Sequence, residues 1–350
     1  MRLLTAGVDG GQSSTRAAIA DDGGRILGRG TGPPADLVGE QRDSDRQRAA
    51  IAHALDAARS AAEVASGTRL AAVVIGLTGH DGNPHSAPAF APFADAVLVV
   101  HDAVIAHAGA FGGEAGIIVL AGTGSVAVGN AERGAPYVRA GGWGYFFGDR
   151  GSALGIAREA IAWAMNDADR GEPSQLGEAA LRFFGASDLR EIQRAFAHDE
   201  LSRPRLAAFA AHVMAMVPAE PSSTPTQAWY LRNMAANELA EMARAVDGRL
   251  PPAPVRRISY AGGVFRNKGF LPTFRFFLEH RSEASVGETI RSPVGKTKSS
   301  PVGKTISLPV DHSRKRVALI EPAGDPVDGA LLLARGLALG KPVGRWTAVG

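Results

Sequence analysis

GVDGGQSSTR, residues 7–16, is a turn of glycines and small hydroxyl residues between two apolar runs, 3–8 and 15–20. Both runs read as strands, and Asp9 opens the turn between them. Such a turn leaves backbone N–H groups uncovered, which suits the oxygens of a phosphate. LAGTGSVAVG, residues 120–129, repeats the design, with strands over 115–121 and 125–129 and a turn at 122–124. One glycine turn is commonplace. Two of them, the first opened by a carboxylate, point to a phosphate chain gripped from two sides.

Working outward, strands at 3–8, 15–20 and 25–30 form an antiparallel meander. The alanine-rich stretch 45–65 has helical apolar spacing, and 71–77 and 96–100 read as buried parallel strands. The second half begins like the first, with its own strand–turn–strand at 115–129, so an α/β half-domain used twice is expected. Helices are predicted at 152–166, 205–216 and 227–246. A strand at 257–261 ends in Gly262-Gly263, followed by helix 269–279, strand 316–320 and a final helix over 326–339.

Length and composition narrow the field. A chain of 350 residues makes one large or two ordinary domains. It is 45% hydrophobic and 21% charged, typical of a globular protein. A net charge of +3 gives no case for nucleic acid. No apolar run approaches the roughly 18 residues of a membrane helix, and Asp9 interrupts any signal-peptide core. The absence of cysteine excludes disulfides, thiolate zinc sites and cysteine-held iron–sulfur clusters. A cytoplasmic protein with neither nucleic-acid nor membrane partners is expected. Residues 284–315 carry SPVGKT twice, at 292–297 and 300–305. Ile290 and Lys298 stand where a P-loop needs its first glycine, so this polar stretch reads as a loop without chemistry.

Several residues are placed for chemistry. Asp9 can hold Mg²⁺ through water beside phosphates, or merely shape the hairpin as an Asx turn. Gly10, Gly11, Gln12, Ser13 and Ser14 complete that turn, and Gly122, Thr123, Gly124 and Ser125 form the second. Gly262 and Gly263 would let a nucleoside lie against backbone, or would only turn the chain. Asp102 follows a strand end, where α/β proteins place ligand groups, and can take a proton from an alcohol. Its alternative is the N-cap of a helix over 103–110. Gly142, Trp143 and Gly144, followed by Asp149, offer an aromatic platform and an acceptor for a sugar. The alternatives there are a core tryptophan and a capping aspartate. His80, Asp81, His85 and His101 match no metal-ligand spacing.

Taken together, DGGQSSTR, VVHDA, AGTGS, GGWGYFFGDRGS, YAGGVF and EPAGDPVDGALLLA resemble, in order, the blocks of the N-acetylglucosamine kinase and BadF-type ATPase families. The resemblance spans nearly all of the chain outside 284–315 and is carried most specifically by GGWG followed by GDRGS. It implies a two-domain, actin-like (ribonuclease H-like) α/β fold with ATP in the interdomain cleft. One domain would span 1–112, rejoined by a helix at 324–342, and the other 113–323. Asp9 and residues 10–14 would face Mg²⁺ and the terminal phosphates, with Gly122, Thr123 and Gly124 opposite and Gly262-Gly263 at the adenosine. Asp102 would be the base, and Thr123, Gly142, Trp143, Gly144 and Asp149 would contact the sugar. The expected activity is phosphorylation of an amino sugar or N-acetylhexosamine, and a homodimer is open. A non-catalytic sugar sensor and a BadF-type ATPase lacking an iron–sulfur cluster are the alternatives. Two departures stand out. Gln12 replaces a frequent third glycine, and GTGPPADLVG, with Asp36, lacks the usual sugar-binding asparagine. The latter brings in glucosamine, whose cation an aspartate suits.

Overall fold

The computed structural model describes residues 3–12, 14–35, 44–65, 67–80, 84–218, 225–280, 316–341 and 343. Ser13, Asp36, Asp81 and the 284–315 repeat lie outside the described residues. Strands β1 (Thr5–Gly10), β2 (Thr15–Ala20) and β3 (Ile26–Gly32) form the predicted meander. Helix α1 (Ser44–Ala61) leads to β4 (Leu70–Leu77) and β5 (Ala94–His101). The first sheet runs β3-β2-β1-β4-β5, antiparallel across β3, β2 and β1 and parallel from β1 to β5. Its central strands are buried on both faces, which is why β4 is an unbroken apolar run. Gly28, Gly30 and Gly32 line one face of β3, and a Cβ on any of them would strike the backbone of α1. That bare stripe lets the helix seat directly on the sheet around Ile51 and Leu55.

Helix α2 (Asp102–Phe111) crosses to a second sheet. Strands β6 (Gly116–Ala121), β7 (Ser125–Asn130) and β8 (Val138–Gly141) form another meander. After the short helix α3 (Gly144–Phe147) come α4 (Ala153–Asp169), α5 (Gln175–Phe184), α6 (Leu189–Ala197), α7 (Arg203–Ala215) and α8 (Gln227–Asp247). Strand β9 (Val255–Ala261), helix α9 (Phe270–Glu279), strand β10 (Arg316–Leu319) and helix α10 (Pro326–Ala338) complete the chain. The second sheet, β10-β9-β6-β7-β8, has the connectivity of the first: three antiparallel strands, then two parallel ones. The repeated half-domain expected from the sequence is present.

The differences from expectation have local causes. Five helices, not three, fill the region between α3 and β9. Helices α5 and α6 were missed although both carry apolar residues at helical spacing, Leu176, Ala180 and Phe183 in the first and Leu189, Ile192 and Phe196 in the second. Strand β8 is half-buried throughout and shows no alternation to read. Helix α10 returns to the first sheet, where a Cβ on Gly7 would strike the backbone of Leu331. It packs beside α2, and Gly329 meets the Ile105 carbonyl so closely that no side chain fits. Within α2, His107 is fully buried against Phe111 and Tyr137. Its Nε2 donates to the Gly116 carbonyl at 3.0 Å, tying the helix to the first residue of β6.

Candidate active site

Parallel register brings Gly10, Leu77 and His101 level, so Asp9, Thr78 and Asp102 leave the first sheet along one edge. Asp9 faces its cross-strand partner Arg16, whose Nη2 lies 2.5 Å from Asp9 Oδ2. Burial pushes the Asp9 carboxyl above the usual carboxylate range; Arg16 opposes this, while Asp102 and Asp325 add to it. Asp102 is the first residue of α2. Its Oδ2 accepts from the Thr78 hydroxyl at 2.9 Å. Burial pushes Asp102 up too, but the bonds from His101 and Thr78 together outweigh it and hold the carboxyl below its usual range. The N-cap position of α2 is His101, not Asp102; its Nδ1 lies 2.7 Å from Asp102 Oδ1 and 3.1 Å from the Ala103 nitrogen, and it donates to the carboxylate only in the tautomer that does not accept from Ala103. The capping alternative for Asp102 is therefore corrected.

The opposite wall comes from the second sheet. The turn 122–124 joins β6 to β7, and α4 begins by donating from Ala153 and Leu154 to the carbonyls of Gly122 and Thr123. Asp149 accepts from the Ser125 N–H at 3.1 Å, and the Ser125 hydroxyl donates to the Arg150 carbonyl at 2.7 Å. Among the described residues, the N–H groups of Thr123 and Gly124 carry no hydrogen bond. A Cβ on Gly122 would meet nothing within 4 Å, so this glycine serves neither packing nor an unusual dihedral and leaves the wall bare. Gly262, with φ of 109°, lies against the Ala121 carbonyl and the Gly122 nitrogen, bringing β9's end beside the turn. Asp149 is pushed up by burial, against the Ser125 N–H and the charges of Arg158 and Arg203.

Between these walls lies a cleft of about 880 Å³. It gathers Asp9, Gln12, Asp102, Gly122, Thr123, Gly124, Gly142, Gly144, Asp149 and Gly262. Gly10, Gly11, Ser14, Gly263 and Trp143 do not line it. Trp143 is 63% exposed, with the Arg139 guanidinium 5.3 Å from its ring. It is not a core residue, and Ser152 rather than Asp149 caps α4; both alternatives weighed for this cluster are thus corrected. The cleft also contains Arg16, Thr78, Arg203 and Asp325, which motif reading did not single out. Asp325 stands in PAGDP and reads as a helix cap, which it also is, accepting from the Asp328 N–H at 2.9 Å.

A model of the BadF/BadG/BcrA/BcrD ATPase family matches residues 6–295. The chain belongs to that family. Among solved structures, a candidate N-acetylglucosamine kinase from Chromobacterium violaceum superposes with a TM-score of 0.70 at 23% identity, covering 95% of this chain and 99% of that one. A second candidate N-acetylglucosamine kinase, from Porphyromonas gingivalis, gives 0.55 at 21% identity over 79% of this chain and 89% of that one. These likenesses establish the actin-like, two-lobed α/β fold. The N-acetylmuramic acid/N-acetylglucosamine kinase of Clostridium acetobutylicum is 43% identical over 88 residues, 25% of this chain and 28% of that kinase. The chain thus spans under a third of that relative's length. No helix among the described residues is long and apolar enough to cross a membrane.

Proposed function

We propose that this family member is an ATP-dependent kinase of an amino sugar or N-acetylhexosamine, with N-acetylglucosamine, glucosamine and N-acetylmuramic acid as the first candidates. The observation that carries the reading is the opposition, across one cleft, of two differently poised carboxylates and a bare glycine turn. The seam would divide a domain of residues 1–112 plus helix 324–342 from one of 113–323.

In this reading the uncovered N–H groups of Thr123 and Gly124 bind the phosphates, and Gly262 makes room for the nucleoside. Asp102, kept ionised by its neighbours, accepts the proton of the attacking sugar hydroxyl. Gly142, Gly144 and Asp149 border the sugar, and Trp143 on the rim folds over it when the lobes close. Asp9 fits a hydrated Mg²⁺. It is buried and crowded by two other carboxylates, and among the described residues Arg16 supplies the opposing positive charge. Bound there, Mg²⁺ would neutralise charge on the transferred phosphate; the chain itself contributes position and dry surroundings.

A coupled ADP-release assay over glucosamine, N-acetylglucosamine, N-acetylmannosamine, N-acetylmuramic acid and glucose tests this. Sugar-dependent ADP release from at least one of them is expected. Sugar binding without release would make the protein a sensor, and release independent of any sugar would make it an ATPase of another kind.

A further inference from the structure

Phosphoryl transfer as described leaves Arg203 without a role. Arg203, the first residue of α7, lines the cleft. Its guanidinium carbon lies 3.9 Å from the centroid of the Tyr145 ring. Among the described residues, no carboxylate forms an ion pair with it. Of the other two arginines lining the cleft, Arg16 pairs with Asp9, and Arg266, without an ion pair among the described residues, follows Gly262 and Gly263 at the end assigned to the nucleoside. Tyr145 is itself fixed, because its carbonyl accepts from Arg158 Nη1 at 2.6 Å and its ring packs on Phe146 at 4.0 Å.

The charges of Arg158 and Arg203 both reach Asp149, and Arg158 is held by the Tyr145 carbonyl. Stacking on an aromatic ring fixes the plane of a guanidinium and leaves its N–H edges for a ligand. A fork presented in this way matches a carboxylate, which it can hold through two parallel hydrogen bonds. The corner lies beside Asp149 and Gly144, on the side assigned to the sugar rather than at the Gly262 end assigned to the nucleoside.

Resting on the sugar-kinase reading, we propose that Arg203, planed by Tyr145, is a specificity residue that selects an amino sugar bearing a carboxylate substituent. The acid group seats on the guanidinium while the ring keeps its hydroxyls toward Asp102 and Asp149.

Calorimetric binding of N-acetylmuramic acid and of its methyl ester, to wild type and R203Q, tests the proposal. The two probes differ in charge and little else. Wild type should bind the acid about 10–100-fold more tightly than the ester, the range of a charge-assisted hydrogen-bond pair. In R203Q the ratio should collapse to about twofold or less, and R203K, which keeps the charge but loses the fork, should fall between. R203K also serves if R203Q does not fold, as judged by circular dichroism. Equal binding of acid and ester by wild type overturns the proposal, as does a ratio that survives in R203Q. Weaker binding of a non-hydrolysable ATP analogue by R203Q, with the acid-to-ester ratio intact, would move Arg203 to the nucleotide. Binding needs no turnover: absent ADP release sinks the kinase reading, whereas an absent acid-to-ester ratio sinks the role of Arg203.

Discussion

Asp102 owes its ionisation to Thr78 and His101, two neighbours that burial alone would not have provided. Because His101, not Asp102, holds the N-cap position of α2, and Asn has nearly the shape of Asp, replacing Asp102 by Asn should leave the helix and the fold intact. Asp102→Asn is expected to lower kcat by about 10²–10⁴-fold with little change in binding of an ATP analogue. A purified variant turning over its best sugar at near-normal rate would remove Asp102 from the mechanism. Gly122 gives the complementary test on the other wall. Its Cβ direction is open, so Gly122→Val should change stability by no more than about 0.5 kcal/mol, as at an uncrowded surface site. The ATP KM should nevertheless rise by about an order of magnitude, because the new methyls would stand on the path of the phosphates in the proposed mechanism. Asp9 and Asp102 were legible in the sequence because each is a polar residue at the end of an apolar run. Thr78 and Arg203 were not. The first sits in an ordinary LTGH turn, and the second follows Ser202 and precedes Pro204, the residues of a plain helix start.

Helix α2 carries a titratable group in its core. His107 is held down to a pKa of about 4, first by burial and also by the charge of Arg257. Its folded value lies below the ordinary histidine value, so the unfolded chain takes up a proton that the native one refuses. Stability is therefore whole above about pH 6.5 and falls as pH drops from there toward about 4. At pH 5 the loss from this residue alone should be about 2 kcal/mol. In His107→Phe, which keeps the ring contacts with Phe111 and Tyr137, that part of the slope should vanish. Urea titrations of both proteins between pH 5 and 7.5 measure it; parallel slopes would show that His107 titrates normally. Helix α3 and its entry provide a second test at this scale. Trp143 is largely exposed, so Trp143→Ala should cost far less than the roughly 3–5 kcal/mol of a buried tryptophan. The sugar KM should rise strongly. A large fall in Tm with KM unmoved in the surviving protein would contradict the rim assignment. Elements with strong periodicity or continuous burial were read correctly from sequence, as β4 and α8 show. Strand β8, half-buried throughout, carried no pattern of its own, whereas α6 shows Leu189, Ile192 and Phe196 at helical spacing and was legible but not read.

At the scale of the whole molecule, the two sheets repeat one wiring, and the cleft lies where their corresponding ends face each other. The glycine turns after β1 and β6 announced that repeat in the sequence. The wiring is broken by α10, which lies late in the chain yet covers Ala18, Ala20 and Ile105 in the first sheet's layer. A chain ending at residue 323 should be unable to cover that face. It is expected to bind a hydrophobic dye and to sediment as aggregate, and a peptide spanning 324–342 supplied during refolding should restore soluble protein. A soluble, monomeric truncation with native near-ultraviolet dichroism would show the helix to be dispensable.

The late position of α10 also acts on a clock. A ribosome extends the chain at roughly 5–20 residues per second, so the first sheet emerges tens of seconds before its last helix exists. Through that interval an apolar face stands open on the nascent chain, a natural substrate for holding chaperones. Yield in a cell should then follow the length of the wait rather than the stability of the finished protein. Co-expressing a ribosome-associated chaperone should raise it more than any stabilising change made in the core.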